Sequence, residues 1–249
     1  MSTQPDWWRT FFQGPAVDWW LRIPLDEVTK ADVSFLTDEL KVAPGAKLLD
    51  VPCGGGRHAI GLAKQGYELT AVDISKQFLE AARTAAIAQN VNISWYEREM
   101  RDLPWSAEFD GAYSFGNSFG YLAGEENDDF LRSIWSTLKS GGKFVLDTSY
   151  LAEGLFANLQ ERAWYPDGDN LVLASRRYDA VEGRLHVTYT FVDESGRQIF
   201  DSTIRVHTCR ELIEKFTKLG FVDIQTYSST IREPFKLGST RLLIVGTKP

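Results

Sequence analysis

The chain has 249 residues, is 43% hydrophobic and carries a formal charge of −7 with a pI of about 5.1. That length suits one domain, or one domain with an insertion, and the composition excludes disordered and collagen-like chains. The acidic balance disfavours a nucleic-acid partner, because such a surface repels phosphate.

Two cysteines, Cys53 and Cys209, and three histidines, His58, His186 and His207, make neither a zinc spacing nor a disulfide framework, so no metal is expected. The opening MSTQPDWWRT lacks the features of a signal peptide. No run approaches the ~20 apolar residues of a membrane span. The expectation is a cytoplasmic protein without membrane contact.

In chain order, residues 1–25 form an arm dense in aromatics: Trp7, Trp8, Phe11, Phe12, Trp19 and Trp20. Asp26 to Lys41 has a roughly helical apolar spacing that Pro44-Gly45 ends. Strands and helices then alternate. Strands are predicted at Lys47–Val51, Glu68–Val72, Asn92–Glu97, Phe109–Phe115 and Lys143–Thr148. Helices fall between them at Arg57–Gln65, from a Ser75 cap to Gln89, and at Asp128–Lys139. This alternation predicts an α/β fold with a mostly parallel sheet. Leu171–Tyr178, Arg184–Val192 and Gln198–Val206 instead read as an inserted antiparallel β-meander, with turns at Glu182-Gly183 and Asp193-Glu194-Ser195-Gly196. Helix Cys209–Leu219, its stop Gly220, and strands Phe221–Tyr227 and Arg241–Thr247 complete a sheet whose last strand is reversed. We expect one domain over 1–249, with an arm at 1–25 and an inserted cap at 163–207.

The informative stretch is Leu48-Leu49-Asp50-Val51-Pro52-Cys53-Gly54-Gly55-Gly56-Arg57-His58-Ala59, where a strand meets a glycine turn and then a helix. Glycines let a ligand approach the backbone, and a helix start offers free N–H groups. Asp73 ends the next strand, 19 residues after Gly54, where a carboxylate can accept from both hydroxyls of a ribose. Gly54, Gly56 and Ala59 also satisfy the G-x-G-x-x-A of dinucleotide-binding oxidoreductases, a weak signal alone. Asp50 beside the loop favours a cationic ligand and opposes a pyrophosphate. The third strand closes on an acidic residue, in Glu99-Met100-Arg101-Asp102-Leu103-Pro104.

These motifs, with Val72-Asp73-Ile74-Ser75 and Asn117-Ser118-Phe119-Gly120-Tyr121, resemble the class I S-adenosylmethionine-dependent methyltransferases across residues 40–150 and 208–249. The bacterial small-molecule type is the most similar. The resemblance implies a Rossmann-like sheet, S-adenosylmethionine as cofactor and a small-molecule acceptor methylated at nitrogen or oxygen. It implies that Asp50, Gly54 and Gly56 line the methionine part and the adenosine linkage, and that Arg57 pairs with the cofactor carboxylate. Asp73 would hold the ribose and Ile74 would pack on adenine. Glu99, Met100 and Arg101 would lie at the adenine edge, with Phe115 near the methionine. The chain departs from the pattern twice. Pro52 stands where glycine is common and removes an N–H donor. Glu99 stands where aspartate is common.

Asn117 and Tyr121 follow the fourth strand at the ligand edge of the sheet, so they are the candidates for holding the acceptor, against a loop that satisfies only its own backbone. His58 reads as a structural histidine before a base, and Cys53, in the glycine loop, as a packing residue before a nucleophile. Trp19, Trp20 and Tyr150 are candidate acceptor contacts, the arm either closing over the cofactor or plating the core. The inserted meander is either a cap over the acceptor or the surface of a homodimer. The alternatives to this enzyme are an RNA-modifying methyltransferase and a non-catalytic cofactor-binding regulator.

Overall fold

The computed structural model describes residues 6–194 and 196–249. Residues 1–5 of the expected arm, and Ser195 of the expected turn, lie outside the described residues. The arm forms two helices, α1 (Trp8–Phe11) and α2 (Pro15–Arg22), before α3 (Asp26–Leu40). The alternating region follows as β1 (Lys47–Asp50), α4 (Arg57–Ala63), β2 (Glu68–Asp73), α5 (Lys76–Ala88), β3 (Ser94–Glu97), β4 (Phe109–Ser114), α6 (Glu126–Thr137) and β5 (Leu138–Thr148). Next come α7 (Ala152–Asn158) and the strands β6 (Arg162–Asp167), β7 (Asn170–Asp179), β8 (Arg184–Asp193) and β9 (Gly196–Arg205). The chain ends with α8 (Cys209–Leu219), β10 (Val222–Tyr227) and β11 (Leu242–Thr247).

Two sheets result. The larger has the order β10-β11-β5-β4-β1-β2-β3 and is parallel from β5 to β3, while β11 runs antiparallel to both β5 and β10. The α/β sheet with its reversed last strand is therefore as predicted. The strand order reverses between β1 and β4, which leaves a crevice at their carboxyl ends. Leu48 and Leu49 of β1 are fully buried because helices cover both faces. The second sheet, β6-β7-β8-β9, is wholly antiparallel.

Local signals explain most element ends. The Ser75 hydroxyl caps α5 by accepting from Phe78 N. Thr208 and Glu211 form a reciprocal capping box at the start of α8, and Gly220 closes it at φ 96°. Three expectations need correction. The helix expected to run to Lys139 stops at Thr137, because Leu138 already pairs with Phe109, and a register shift then carries Gly141-Gly142 inside β5. The strand β6 was not foreseen; it contains Pro166, which a strand tolerates at a sheet edge, and β6 pairs only with β7. Helix α7 was also not foreseen. No helix among the described residues is long and apolar enough to cross a membrane.

Candidate active site

A cavity of about 1050 Å³ opens at the carboxyl ends of β1, β2 and β4. That is the upper end of the ~300–1,000 Å³ usual for small-molecule sites. Its floor is the glycine loop with Asp73, Ile74 and Met100, and its far end is Phe115, Gly116, Ser118 and Tyr121. Its roof comes from the arm, through Trp8, Phe12, Trp20 and Leu21.

The floor holds two buried carboxylates. Asp50 is 1% exposed, and neither of its oxygens has a hydrogen-bond partner. Burial pushes its carboxyl well above the usual range, and the nearby Tyr113 hydroxyl and Arg57 offset only part of that. An orphaned buried carboxylate at this edge fits a ligand that brings a cation. Asp73 is held from both sides, its oxygens accepting from Gly54 N and Ser75 N at 2.8 Å each. Burial raises it to about 6 despite these bonds. Each oxygen keeps another acceptor position, enough for a pair of ribose hydroxyls. A Cβ on Gly54, at φ 51°, would meet nothing within 4 Å, so the backbone there is open to a ligand. Gly55 is crowded instead: a Cβ would stand 2.3 Å from Cδ2 of Leu21, where the arm lies on the loop.

The helix after the glycine loop is tied to the rest of the fold by charge. Arg57 donates to the Thr29 hydroxyl at 2.9 Å and pairs with Asp32 at 3.1 Å. His58 Nε2 also lies 3.1 Å from Asp32. Burial drives the imidazole pKa down, and His58, Arg241 and Arg57 together lower the Asp32 carboxyl to about 2. Asp32 is thus ionised at neutral pH and His58 neutral, which puts the proton on Nε2. Arg241 bridges Asp32 at 2.9 Å and Asp147 at 2.6 Å. Asp147 in turn accepts from Gly116 N at 3.1 Å. One buried network therefore joins α3, α4, β5, β11 and the loop after β4.

The roof is built from rings. Trp7, Phe11, Phe12, Trp19 and Trp20 pack mostly edge to face, with centroids 4.5–6.3 Å apart, within the range such pairs prefer. Phe12 also meets Phe78 of α5 at 5.5 Å and Tyr121 at 6.0 Å. Hydrogen bonds fasten the arm at four points: Trp7 Nε1 donates to Thr203 O, Gly14 N to Gln77 Oε1, the Ser75 hydroxyl to Phe12 O, and the Arg22 guanidinium twice to the Asp167 carboxylate of β6.

The structure brings many, not all, of the expected residues to the cavity. Pro52, Cys53, Gly54, Arg57, Asp73, Ile74, Met100, Phe115, Trp20 and Tyr121 line it. Gly56 and Asp50 lie in and under the loop without lining it. Cys53 is buried and its thiol pKa is raised by burial and by Asp73 and Asp50, which suits a packing residue. Glu99 and Arg101 pair with each other at 2.7 Å, Arg101 also pairs with Glu126, and neither Glu99 nor Arg101 lines the cavity. Asn117 sits at φ 68° and accepts from Ser149 N, tying the loop after β4 to the segment after β5. Arg57 is engaged by Asp32 and Thr29, where a free partner for a ligand carboxylate was expected.

The meander is also placed differently from its expected role as the direct cap. Every cavity-lining residue falls between Trp8 and Tyr121, and the arm separates the second sheet from the cavity. Trp19 packs on Tyr165, Tyr189 and Phe191 of that sheet, and Tyr150 is half-buried beside Tyr189. The sheet supports the roof. The residues that sequence reasoning missed are Asp32, Asp147 and Arg241, which lie far apart in the chain, and Trp8, Phe12 and Ser118, whose neighbours had drawn attention instead.

The switch-point crevice, the glycine loop and the buried acidic floor suit an α/β protein that binds a nucleoside. Residues 48–142 match the family model described as Methyltransferase domain. A putative methyltransferase of Geobacillus sp. (strain WCH70) is 36% identical over 129 residues, covering 49% of this chain and 52% of that protein. The match thus spans about half the length of that curated relative. A glycine/sarcosine N-methyltransferase of Aphanothece halophytica is 28% identical over 211 residues, 80% of this chain and 75% of its own. The solved CcbJ methyltransferase of Streptomyces caelestis shares the fold at a TM-score of 0.78 and 19% identity, over 96% of this chain and 98% of that one. Residues 48–142 thus carry a methyltransferase domain, the chain has the fold of S-adenosylmethionine-dependent methyltransferases, and its floor fits S-adenosylmethionine as the cofactor.

Proposed function

We propose that the protein methylates a small molecule, at a nitrogen in preference to an oxygen, beneath the aromatic roof. The observation that carries this reading is the single cavity that runs from Asp73 to Tyr121 between an acidic floor and a ring-lined roof. The bound cofactor supplies a methyl group already activated on a sulfonium. The chain's task is then alignment, which can contribute ~7–11 kcal/mol in favourable cases. Asp73 would accept from the ribose hydroxyls, Ile74 and Met100 would pack on the adenine, and Asp50 would face the cationic end. Ser118 and Tyr121 would orient the acceptor. Trp8, Phe12 and Trp20 exclude water and turn ring faces toward the positive charge of the transfer.

Nitrogen is favoured because no free base stands at the acceptor end. His58 is held by Asp32, and burial raises the Tyr121 phenol pKa. A hydroxyl acceptor must lose its proton to react, whereas a neutral amine attacks through its lone pair. No lysine or arginine lines the cavity on the arm or between Phe115 and Tyr121, so an acceptor carboxylate would lack a partner there. The Aphanothece relative is named for glycine and sarcosine; an amine without a carboxylate suits this cavity better.

The test incubates the protein with S-adenosylmethionine and, separately, phenethylamine, catechol, glycine and bulk tRNA, and measures S-adenosylhomocysteine by mass spectrometry. Turnover with the amine above that with glycine and catechol is expected. Cofactor binding by calorimetry with no turnover on any of them points to a non-catalytic binder, and turnover on tRNA alone points to an RNA-modifying enzyme.

A further inference from the structure

The four-stranded sheet turns its inner face to the arm, where Val172, Val187, Tyr189 and Phe191 are buried. An antiparallel sheet with one solvated face should alternate apolar and polar residues. In β7 that alternation fails, since Leu171, Val172 and Leu173 are consecutive. The register shows the consequence on the outer face. Trp164, Leu173, Thr190 and Ile199 form one cross-strand row, and Pro166, Leu171, Val192 and Arg197 form the next. Trp164 is 68% exposed, Ile199 54%, and Leu171 and Leu173 42% each. The row on the other side is polar and ends in opposite charges: Arg162, Ser175, Thr188 and Asp201.

We propose that this face joins two copies of the chain into a homodimer, sheet against sheet, about a two-fold axis running along the strands. That axis exchanges β6 with β9 and β7 with β8 and keeps each row opposite itself. Trp164 then lies over the partner's Ile199, and Leu171 over the partner's Val192. Arg162 lies over the partner's Asp201, so each charge at the end of the polar row meets its opposite, twice per dimer. An axis across the strands would set Leu171 over a serine and stack Trp164 on itself, with poorer complementarity. The face is large enough. Four strands at ~4.8 Å spacing and about 30 Å of length cover roughly 600 Å² per copy, or about 1,200 Å² in all. Specific interfaces start near that size. The dimer would also press the second sheet onto the arm that roofs the cavity, although it depends on no assumption about the acceptor.

Light scattering and sedimentation of the full chain should report twice the 28.1 kDa monomer mass at micromolar concentration. Trp164→Glu should weaken the dimer at least about 30-fold, as loss of a large aromatic anchor and its replacement by a charge do. Arg162→Asp and Asp201→Arg should each weaken it severalfold, and the two together should restore it, because the pair is re-formed with its signs exchanged. All three positions are exposed, so the melting temperature of the diluted monomer should barely change and will certify the fold of each variant. A wild-type chain that stays monomeric overturns the proposal. So does a dimer indifferent to Trp164→Glu, or a charge-swapped double variant no tighter than its parents.

Discussion

The floor and the roof of the cavity are made by opposite means. The floor is polar and specific. Asp50 and Asp73 are buried carboxylates at the ends of the neighbouring strands β1 and β2, and Asp32 gathers Arg57, His58 and Arg241 behind them. Each group there has a direction, so the floor suits one ligand and rejects others. The roof is a set of rings held mainly by contact, with hydrogen bonds fastening the arm to the rest of the chain at four points. Ring packing excludes water over a broad surface and fixes few directions. On the proposed reading, the floor would recognise the cofactor and the roof would choose the acceptor.

Removing Asp73 should break the floor with the largest effect. Two charge-assisted hydrogen bonds, each worth about 1.5–3 kcal/mol, would be lost in Asp73→Ala, so calorimetry should find cofactor affinity reduced at least about 100-fold. The same group gives the wild type a pH signature. With its pKa near 6, Asp73 offers both oxygens and a full charge to the hydroxyls only when ionised, so affinity should fall as pH drops through that value. Asp73→Asn should bind weakly and lose that dependence. A folded Asp73→Ala protein that keeps full affinity would remove the ribose from this position.

Trp20→Ala tests the roof and should leave the floor alone. Trp20 lines the cavity and packs on Phe11, Phe12, Trp19 and Tyr189, so its loss opens the acceptor end to water. We expect kcat to fall about tenfold, roughly 1.4 kcal/mol, with cofactor affinity within twofold of the wild type. If affinity fell in step with kcat, the division between floor and roof would be wrong.

The same division governs what could be read from the sequence. The floor was legible because its parts lie within short, directional motifs: Asp50 to Ala59, then Val72 to Ser75. Strand spacing and glycines dictate that geometry locally. The network behind it was not legible. Asp32, Asp147 and Arg241 meet only because α3, β5 and β11 converge, and nothing in their neighbours marks them. Asn117 and Glu99 were drawn to the site by position in the chain, yet their side chains are held by Ser149 N and Arg101. The arm announced itself by composition, since rings so dense must be buried, but composition does not say against what. That the meander lies behind the arm, and not over the cavity, is a matter of tertiary packing.

The smallest expected effect lies at the seam where the supporting sheet returns to the main one. His207 follows β9, bridges Leu151 through the backbone and lies 5.3 Å from the Phe119 ring. It is 6% exposed, and neither ring nitrogen has a hydrogen-bond partner. Burial lowers its pKa to about 4, against an unfolded value of 6.5. A base with a depressed folded pKa supports the fold fully above its unfolded pKa, and that support fades as pH falls toward the folded one. Between pH 7 and 5.5 the loss should be about 1 kcal/mol. Asp73 acts in the opposite direction over the same range, because its folded pKa is raised, so the total slope of the wild type cannot isolate His207. The difference between proteins can. In His207→Leu the Asp73 contribution is unchanged while the histidine contribution is gone, so the variant should lose about 1 kcal/mol less than the wild type over that interval. Denaturant midpoints at both pH values measure this directly. Equal losses in the two proteins would mean that His207 takes up its proton without leaving its buried position, and that the seam opens more easily than its packing implies.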